Sequence, residues 1–577
     1  MSRYLFLIAA VCSLFQQVFS FGLTTYHNPI LPGWHSDPSC TFVREWNNTY
    51  FCATSSFLLW PGSPVYASKD LISWKLASHA LSRLDQIPEM LESTASQSAG
   101  TFASTLRYKD GKLYLITVYL SYTEESLDFL LYTTTNPYDD AAWDGPISIP
   151  NPQFKIDPDI FWDDDGFVYI ASAGIYLQCV NLTTLETTEQ VSIWNGTGGT
   201  YPEGPHLYKK DEWYYLLIAE GGTETNHSAT IARSREIYGP YESYNKNPIL
   251  TNRNTSEYFQ TVGHADLFQD GSGNWWGAAL STRSGPNWVD YPMGRETVLT
   301  PGTWDEGGWP ALNPVRGEMR GQLPPLDKNI PGRGPWVDAG DMVDFEPGSE
   351  IPRHFVHWRP APNRAADYAI STDDDHRNTM VLKASRANIT TDAAYSPKDG
   401  QTFIARLQSH TFFEYSVDFS ALHTKVQQEA GISVFLTNYQ HIDLSIIILE
   451  SNGQAKPHLQ MRVETAGKPN FTAPEPVPTP FPDLWVGKPV RLQVIVNDDR
   501  GYVFSASTVS NPEEIILMGT ASGEIVSGGS GPFTGTLLGV FATTNGFNTT
   551  FEASISRWRY TPIAQEIGDD ELVTSNN

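Results

Sequence analysis

Cysteine is scarce in this chain, with 4 residues among 577. Cys12 lies in an N-terminal segment that we expect to be removed, so Cys40, Cys52 and Cys179 remain. An odd number of cysteines in an oxidising compartment leaves at least one free thiol, so the sequence implies no disulfide framework. A Cys40–Cys52 bridge stays open as an alternative, although a hairpin turn near Asn47-Asn48 does not place the two cysteines directly opposite each other.

Positive charge is also in short supply. Lys and Arg number 38 against 65 Asp and Glu, which gives a formal net charge of −27, and no Lys/Arg-rich block occurs. Because phosphate binding needs a basic surface, these numbers exclude a nucleic-acid partner. A neutral polymer is a compatible substrate.

Long apolar runs are missing after the N-terminus, so no membrane partner is expected. Residues 1–20 themselves have the pattern of a secretory signal peptide, with Arg3 before an apolar stretch and small residues at Val18-Phe19-Ser20. We expect cleavage after Ser20 and a secreted, extracellular protein.

Asn-x-Ser/Thr sequons are numerous for a chain of this length, and behind a signal peptide they favour N-linked glycans. The asparagines are Asn47, Asn181, Asn195, Asn226, Asn254, Asn388, Asn470 and Asn548.

Methionine is rare, with 8 residues, whereas there are 45 Gly, 40 Pro, 17 Trp, 27 Tyr and 28 Phe. This composition favours short strands and tight turns over helices. The mature chain is too long for one core, which predicts two or three domains.

A weak repeat runs through the N-terminal half, in which a turn of Asp, Asn or Gly precedes an aromatic strand. Such turns are typical of hairpins, and a spacing of about 45 to 65 residues is in the range of propeller blades. Five copies predict a five-bladed β-propeller over residues 21–322, with a pair of β-sandwiches of chance similarity as the alternative. The copies begin at Trp46, Lys109, Asp164, Lys210 and Gly271.

The second half of the chain has a different pattern of residues. Residues 323–335 hold four Pro and two Gly and are predicted to form a linker. Residues 336–577 contain runs such as Arg491-Leu492-Gln493-Val494-Ile495-Val496 between polar turns and carry no chemical motif, which predicts an antiparallel β-sandwich. The predicted fold class is therefore all-β.

Three carboxylates in short Pro-bearing motifs are the candidates for chemistry. Asp37 lies in His35-Ser36-Asp37-Pro38-Ser39, Asp157 in Ile156-Asp157-Pro158, and Glu203 between Pro202 and Gly204. All three lie ahead of, or on, the presumed innermost strand of a blade, so we expect them to converge at one end of the propeller axis. Burial beside an apolar strand would raise the pKa of Glu203 and suit it to act as a general acid. For Asp37 alone, a turn-capping role is the competing interpretation.

Several further residues are candidates for binding sugar. Trp34, Phe57, Trp60 and Phe102 could stack on sugar faces or belong to the core. His264 is interpreted as a buried orienting residue. Arg295 is a candidate clamp for hydroxyl groups, with a buried pair to Glu296 as the alternative.

Taken together, these motifs resemble glycoside hydrolase family 43, the secreted β-xylosidase and α-L-arabinofuranosidase group, and the C-terminal half resembles its concanavalin-like sandwich. The resemblance implies that Asp37 is the general base, Asp157 the pKa modulator and Glu203 the general acid. Ser36 and Phe102 depart from the Pro and Trp that are frequent there, which leaves the exact sugar preference open. The motifs are His35-Ser36-Asp37-Pro38-Ser39, Thr54-Ser55-Ser56-Phe57, Pro61-Gly62, Ile156-Asp157, Glu203-Gly204-Pro205-His206, Glu220-Gly221-Gly222-Thr223, Gly263-His264-Ala265 and Gly294-Arg295-Glu296-Thr297.

The implied activity is exo-acting, inverting hydrolysis of arabinofuranosyl or xylosyl linkages in hemicellulose such as arabinoxylan. Two alternatives stay open: an endo-arabinanase or exo-galactanase on the same fold, and a sugar-binding propeller without catalysis. No cofactor is required. A structural Ca²⁺ near His264 or Asp344 is an open expectation, because no ligand spacing establishes it.

Overall fold

The structure is a computed structural model that describes residues 22–91, 98–121, 127–373, 377–390, 400–420, 424–497 and 500–575. The predicted signal peptide, residues 1–20, lies outside the described residues. Helix is confined to short pieces in the described residues, and none is long and apolar enough to cross a membrane. These pieces are the α-helical turn Arg364–Asp367 and the 3₁₀ turns Pro88–Leu91, Asp140–Ala142, Asp483–Trp485 and Gly523–Val526.

Within the described part of the N-terminal half, five separate four-stranded antiparallel sheets follow one another along the chain. In each sheet the strands pair in sequence order, as expected when tight turns join consecutive strands. The strands are, sheet by sheet, Ser39–Val43, Thr49–Ala53, Gly62–Ser68 and Lys75–Leu81; Gly100–Lys109, Lys112–Leu120, Phe129–Thr134 and Asp144–Ile149; Asp159–Trp162, Val168–Ser172, Tyr176–Val180 and Val191–Ser192; Glu203–Lys210, Trp213–Glu220, Ser228–Ser234 and Glu242–Ser243; Phe259–Gln269, Trp275–Arg283, Glu296–Thr303 and Ala311–Leu312.

Each of the five turns found in the sequence joins the first strand of a sheet to its second. In the second sheet, Asp110 and Gly111 take φ values of 48° and 82° between Lys109 and Lys112, as a two-residue hairpin turn with two left-handed residues requires. The first strand of every sheet contacts the first strand of the next, and the fifth contacts the first, so the five sheets form a closed ring.

The two ends of this region are tied together. Thr24–His27 pairs antiparallel with Glu318–Gly321. Tyr26 in this pair donates its hydroxyl to the Leu299 carbonyl of the fifth sheet at 2.8 Å. The N-terminal strand is therefore held against the sheet that ends the ring.

The structure corrects our prediction for the cysteines of the first sheet. Cys40 lies directly opposite Cys52, with Cα atoms 4.1 Å apart, and the two form a disulfide. Val43 pairs with Thr49, so the turn is centred on Trp46 and not on Asn47-Asn48, which shifts the register and aligns the two cysteines. Cys179 is free and half-buried.

The C-terminal half is an antiparallel β-sandwich of a nine-stranded and a six-stranded sheet within the described residues. Its core lies between the two sheets and includes Tyr415 and Trp558, neither more than 1 % exposed. The nine strands are Asp341–Val343, Tyr368–Ile370, Met380–Lys383, Phe412–Phe419, Val490–Val496, Gly501–Thr508, Asn511–Ser522, Glu552–Gly568 and Glu571–Thr574, and the six are Phe403–Leu407, Glu429–Thr437, Gln440–Ser451, Gln454–Glu464, Thr479–Pro480 and Leu537–Thr543.

The six-stranded sheet packs against the ring of sheets through a shared apolar core. Phe57 and Phe102 of the N-terminal half belong to the same buried cluster as Phe403, Phe435 and Phe541 of the sandwich. Burial of that surface holds the two halves together, because apolar area removed from water stabilises at about 25 cal/mol per Å².

The segment predicted as a linker also lies against the first sheet. Lys75 donates its ammonium to the Gly332 carbonyl at 2.8 Å, and the Leu76 amide donates to the Pro335 carbonyl at 3.0 Å. A Cβ on Gly334 would lie 1.9 Å from the Leu76 carbonyl oxygen, so only glycine fits there. The connecting segment is therefore packed against the first sheet, and this packing fixes where the sandwich begins.

Candidate active site

A left-handed residue lies in or just ahead of the first strand of every N-terminal sheet. The five residues and their φ values are Asp37 (52°), Ala103 (32°), Asp157 (54°), Gly204 (54°) and His264 (46°). Bulges accompany three of them, in the second, fourth and fifth sheets. A bulge re-aims side chains, and residues held in rare backbone conformations cluster at functional sites. The repeat brings one such position from each sheet to one end of the ring.

A cavity opens at that end and encloses about 810 Å³ of empty space, including its open mouth. It contains all three predicted carboxylates. Its walls come from strands of three of the five sheets, from loops, and from one residue of the sandwich. The lining residues are Asp37, Phe57, Phe102, Ile156, Asp157, Tyr201, Glu203, Gly222, Thr223, Glu224, His264, Arg295 and Phe533.

Asp37 is buried and surrounded by groups that favour its charged form. Arg295 donates to both carboxylate oxygens, at 3.1 and 3.3 Å, and the Ser55 hydroxyl donates at 2.6 Å. His264 Nδ1 lies 3.5 Å from Asp37 Oδ1. Burial by itself would raise the pKa of Asp37, but the attraction of Arg295 and His264 and the hydrogen bonds from Ser55 and Ser36 outweigh it and hold the pKa below its usual value.

Glu203, at the start of the fourth sheet, has the opposite environment. Burial and the negative charges of Asp37 and Glu224 raise its pKa to about 7, although Arg295 acts in the other direction. At neutral pH, one carboxyl of the cavity is therefore ionised while the other still holds a proton for much of the time.

Asp157 is the third carboxyl. Burial, together with repulsion from Glu203 and Asp37, raises its pKa to about 7, against the pull of His264 and the Gly204 N–H. Its Oδ2 accepts a hydrogen bond from the Gly204 backbone N–H at 3.1 Å, so it fixes the residue next to Glu203. A Cβ on Gly204 would lie 2.8 Å from His264 Nε2, which explains why a glycine follows the glutamate.

A charged layer beneath the cavity was missed in the sequence. Arg107 contacts Asp159 at 2.9 Å and Asp266 at 2.7 Å, and the Tyr208 hydroxyl donates to Asp266 at 2.6 Å. Asp159 and Asp266 each stand two positions after a left-handed residue, and both are fully buried. The signal available in the sequence was an Asp two positions after each of two candidate site residues, Asp157 and His264. These contacts join four of the sheets where their first strands meet.

Four of the six predicted binding residues line the cavity: Phe57, Phe102, His264 and Arg295. The rings of Phe57 and Phe102 meet edge to face with centroids 4.7 Å apart. Arg295 binds the Asp37 carboxylate and not Glu296. The alternative of an Arg295–Glu296 pair is wrong, because Glu296 pairs with Arg283 at 2.7 Å.

Trp34 and Trp60 do not line the cavity, which corrects their prediction as sugar-stacking residues. Trp34 is 2 % exposed and packs 6.1 Å from Phe57, behind the cavity wall. Trp60 packs against His357, and its amide donates to the His357 carbonyl at 2.9 Å. Both tryptophans are core residues because the sandwich covers them.

The sandwich contributes Phe533 to the cavity, a residue that no local motif indicates. Its ring stacks on Phe57 with centroids 5.9 Å apart and planes 19° apart. Its carbonyl accepts a hydrogen bond from Arg295 Nε at 3.2 Å. Tyr201, Thr223 and Glu224 were also missed, although Thr223 lies inside a motif quoted above.

Among the described residues no group of three or more His, Cys, Asp or Glu side chains has the arrangement of a metal site. Near the two places considered for Ca²⁺, His264 faces Asp37 and Asp344 pairs with Arg559. The Ca²⁺ expectation stays untested.

Comparison with known proteins decides the family. The profile described as "Glycosyl hydrolases family 43" matches residues 26–310, and that of the "Beta xylosidase C-terminal Concanavalin A-like domain" matches residues 369–561. A non-reducing end alpha-L-arabinofuranosidase of Bacteroides ovatus is 32% identical over 551 residues, which cover 94% of this chain and 95% of that protein. The chain belongs to glycosyl hydrolases family 43.

Other relatives agree with this assignment. A xylosidase/arabinosidase of Humicola insolens is 29% identical over 93% of this chain and 97% of its own length. Two solved structures are similar over 93% of this chain and 99% of their own chains. One is the Bacteroides ovatus "Xyloglucan PUL GH43B", with a TM-score of 0.79 and 30% identity. The other is a xylan beta-1,4-xylosidase of Bacillus halodurans, with a TM-score of 0.78 and 27% identity. The resemblance stated from the motifs is confirmed, and the chain is a glycosidase.

Proposed function

We propose that this glycosidase releases terminal arabinofuranose or xylose from hemicellulose such as arabinoxylan, by an exo-acting, inverting mechanism. The observation that carries the proposal is the opposite pKa shift of Asp37 and Glu203 in one cavity, lowered for the first and raised to about 7 for the second. One ionised and one protonated carboxyl are what acid–base cleavage of a glycosidic bond needs. The names of the relatives, arabinofuranosidase and xylosidase/arabinosidase, support the choice of sugars.

In the proposed mechanism Asp37 is the general base. Its carboxylate takes a proton from a water molecule as that water attacks the anomeric carbon, while Glu203 gives its proton to the leaving oxygen. Asp157 orients the acid through the Gly204 N–H and helps to keep it protonated by like-charge repulsion. Since the attack is a single displacement from the opposite face of the sugar, the product has inverted configuration.

The exo-acting assignment rests on the closed end of the cavity. Phe57, Phe102 and Phe533 pack on one another, and the Arg295 guanidinium lies over the Phe533 ring while it binds Asp37. A pocket with one closed end accepts the terminal sugar of a chain and leaves no room for a polymer to pass through. This favours exo action over an endo-arabinanase.

We also propose that the ring of five sheets is a five-bladed β-propeller over residues 21–322, joined by residues 323–335 to a sandwich over residues 336–577. The closed ring of first strands supports this division. A secreted glycoprotein is proposed from the sequence, with support from the exposure of seven of its eight sequon asparagines. These are Asn47, Asn181, Asn195, Asn226, Asn254, Asn470 and Asn548.

Hydrolysis of nitrophenyl α-L-arabinofuranoside and β-D-xyloside, beside linear arabinan and galactan, tests the proposal. We expect turnover of at least one nitrophenyl glycoside, and NMR of the first-formed sugar should show the inverted anomer. A mixture of internal fragments from arabinan would favour the endo-arabinanase, and release of galactose would favour the exo-galactanase. Binding of these sugars without turnover would leave the non-catalytic propeller.

A further inference from the structure

The two sides of the cavity differ in exposure. On one side Asp37, Arg295 and Phe57 are each 7 % exposed or less. On the other side Tyr201 is 72 % exposed, Glu224 is exposed, and Glu203 is half-buried. The acid that protonates the leaving oxygen must face the leaving group. If Glu203 is that acid, the departing sugar lies at the open rim among the residues beside it.

Tyr201 is held at this rim by its backbone. Its φ of 50° is left-handed, a conformation that is unfavourable for a bulky residue and persists only when the surroundings enforce it. The neighbouring carbonyls supply that constraint, because Thr200 accepts from the Gly221 N–H and Pro202 from the Gly174 N–H, both at 2.8 Å. The result is an aromatic ring presented to solvent two residues before Glu203.

Glu224 is placed opposite Tyr201 by an anchored loop. The Thr223 hydroxyl accepts a hydrogen bond from Arg295 at 3.1 Å, and the Glu224 carbonyl accepts one from the His227 N–H at 2.9 Å. Between the two side chains lies Gly222, whose φ is 71°. A Cβ there would lie 3.0 Å from Glu224 Oε2 and 3.6 Å from the Tyr201 ring, so glycine leaves the floor open between them.

We propose that Tyr201, Gly222 and Glu224 form the subsite that binds the leaving-group sugar. The inference rests on the proposed function, since it takes Glu203 as the acid. The Tyr201 ring offers an apolar platform for one sugar face, and the Glu224 carboxylate accepts hydrogen bonds from sugar hydroxyls. A neutral pyranose in the residue next to the cleaved bond fits this combination.

The subsite has a second effect on the reaction. Glu224 is one of the charged groups around Glu203, with Asp37, Asp157, Arg295 and His264. Removing its negative charge lowers the pKa of the acid. Glu224→Gln should therefore move the alkaline limb of the activity profile to lower pH, a change that a purely structural residue would not cause.

The test compares two substrates with the same released sugar. One has a sugar as leaving group: the disaccharide xylobiose, or an arabinofuranosyl-xylose disaccharide if the enzyme prefers arabinose. The other is the glycosyl fluoride, whose leaving group is a single atom and needs no subsite. Tyr201→Ala should lower kcat/KM on the disaccharide by about 3–10-fold, and Glu224→Gln by about tenfold. Both should change kcat/KM on the fluoride by less than about twofold.

Matched controls are Tyr238→Ala and Glu212→Gln, which remove an exposed ring and an exposed charge that do not line the cavity. Thermal unfolding checks the fold of each variant, and Tyr201→Leu, which keeps bulk but removes the ring, replaces Tyr201→Ala if that variant unfolds. Equal losses on both substrates, or none on the disaccharide, would overturn the subsite alone. Undiminished activity of Glu203→Gln on the disaccharide would overturn the proposed acid, and the subsite with it.

Discussion

The wall of the cavity around Asp37 and the wall around Glu203 use the same chemical group for opposite purposes. Asp37 is buried among donors and cations, whereas the strongest influences on Glu203 are burial and a neighbouring negative charge. Burial acts in the same direction on both carboxyls, so the difference comes from the partners. Arg295, which binds Asp37 directly, decides which of the two carboxyls is ionised at neutral pH.

The sharpest way to break this comparison is to remove the base. Asp37→Asn should lower kcat on every substrate by about 10²–10⁴-fold, because activation of water is needed whatever the leaving group. Steady-state kinetics on an aryl glycoside and on a disaccharide measure the loss. Asp164→Asn, which changes an 89% exposed carboxylate in a surface turn, is the control and should leave kcat unchanged. Substantial activity in Asp37→Asn would remove the assignment of the base.

Removing the acid should give a selective loss. Glu203→Gln should lower kcat on disaccharides by about 10²–10⁴-fold but largely spare activated aryl glycosides, whose leaving groups need little protonation. The ratio of the two losses is the measurement, and Glu212→Gln is the exposed control. An equal loss on both substrates would contradict the role of Glu203 as the acid.

The part of this arrangement that could be predicted from sequence is the part carried by local motifs. Asp37, Asp157 and Glu203 each stand beside a Pro at the start of a repeated strand, and the structure brings all three into one cavity. The turns of the five hairpins could also be located, because Asp-Gly and Asn-rich turns depend on neighbouring residues.

What could not be predicted depends on packing between distant segments. Phe533 reaches the cavity only because the sandwich docks on the ring, and Trp34 and Trp60 are core residues for the same reason. The Cys40–Cys52 disulfide was left open because the turn between the two cysteines was predicted in the wrong register. The partner of Arg295 was left open because Asp37 is 258 positions away along the chain. The alternation of adjacent side chains in an extended segment already argued against an Arg295–Glu296 pair.

Replacing Arg295, which lowers the pKa of both Asp37 and Glu203, should raise the pKa of the base toward that of the acid. Arg295→Met removes the attraction that lowers the pKa of Asp37, so the acidic limb of kcat/KM should move to higher pH. We expect an accompanying loss of about 10–100-fold at the optimum, because a hydrogen bond to a charged group contributes about 1.5–3 kcal/mol. Arg333→Met, at a side chain that is 84% exposed, should leave the profile unchanged. An unmoved acidic limb in Arg295→Met would show that other groups keep Asp37 ionised.

The smallest expected effect is on stability, and its sign follows from the raised pKa values of two buried carboxyls. The pKa values of Glu203 and Asp157 in the folded protein are raised to about 7, above those of an unfolded chain, about 4. Their contribution to stability is therefore fully present below about pH 4 and is lost as pH rises through about 7. Unfolding followed by circular dichroism between pH 5 and pH 8 should show a fall in stability on the order of 2–3 kcal/mol from each of these groups. Repulsion within this acidic chain also grows over that range, so the comparison with Asp157→Asn isolates the carboxyl. That variant should lose less stability between pH 5 and pH 8 than the unmodified protein, and an equal loss would mean that Asp157 is already ionised at pH 5.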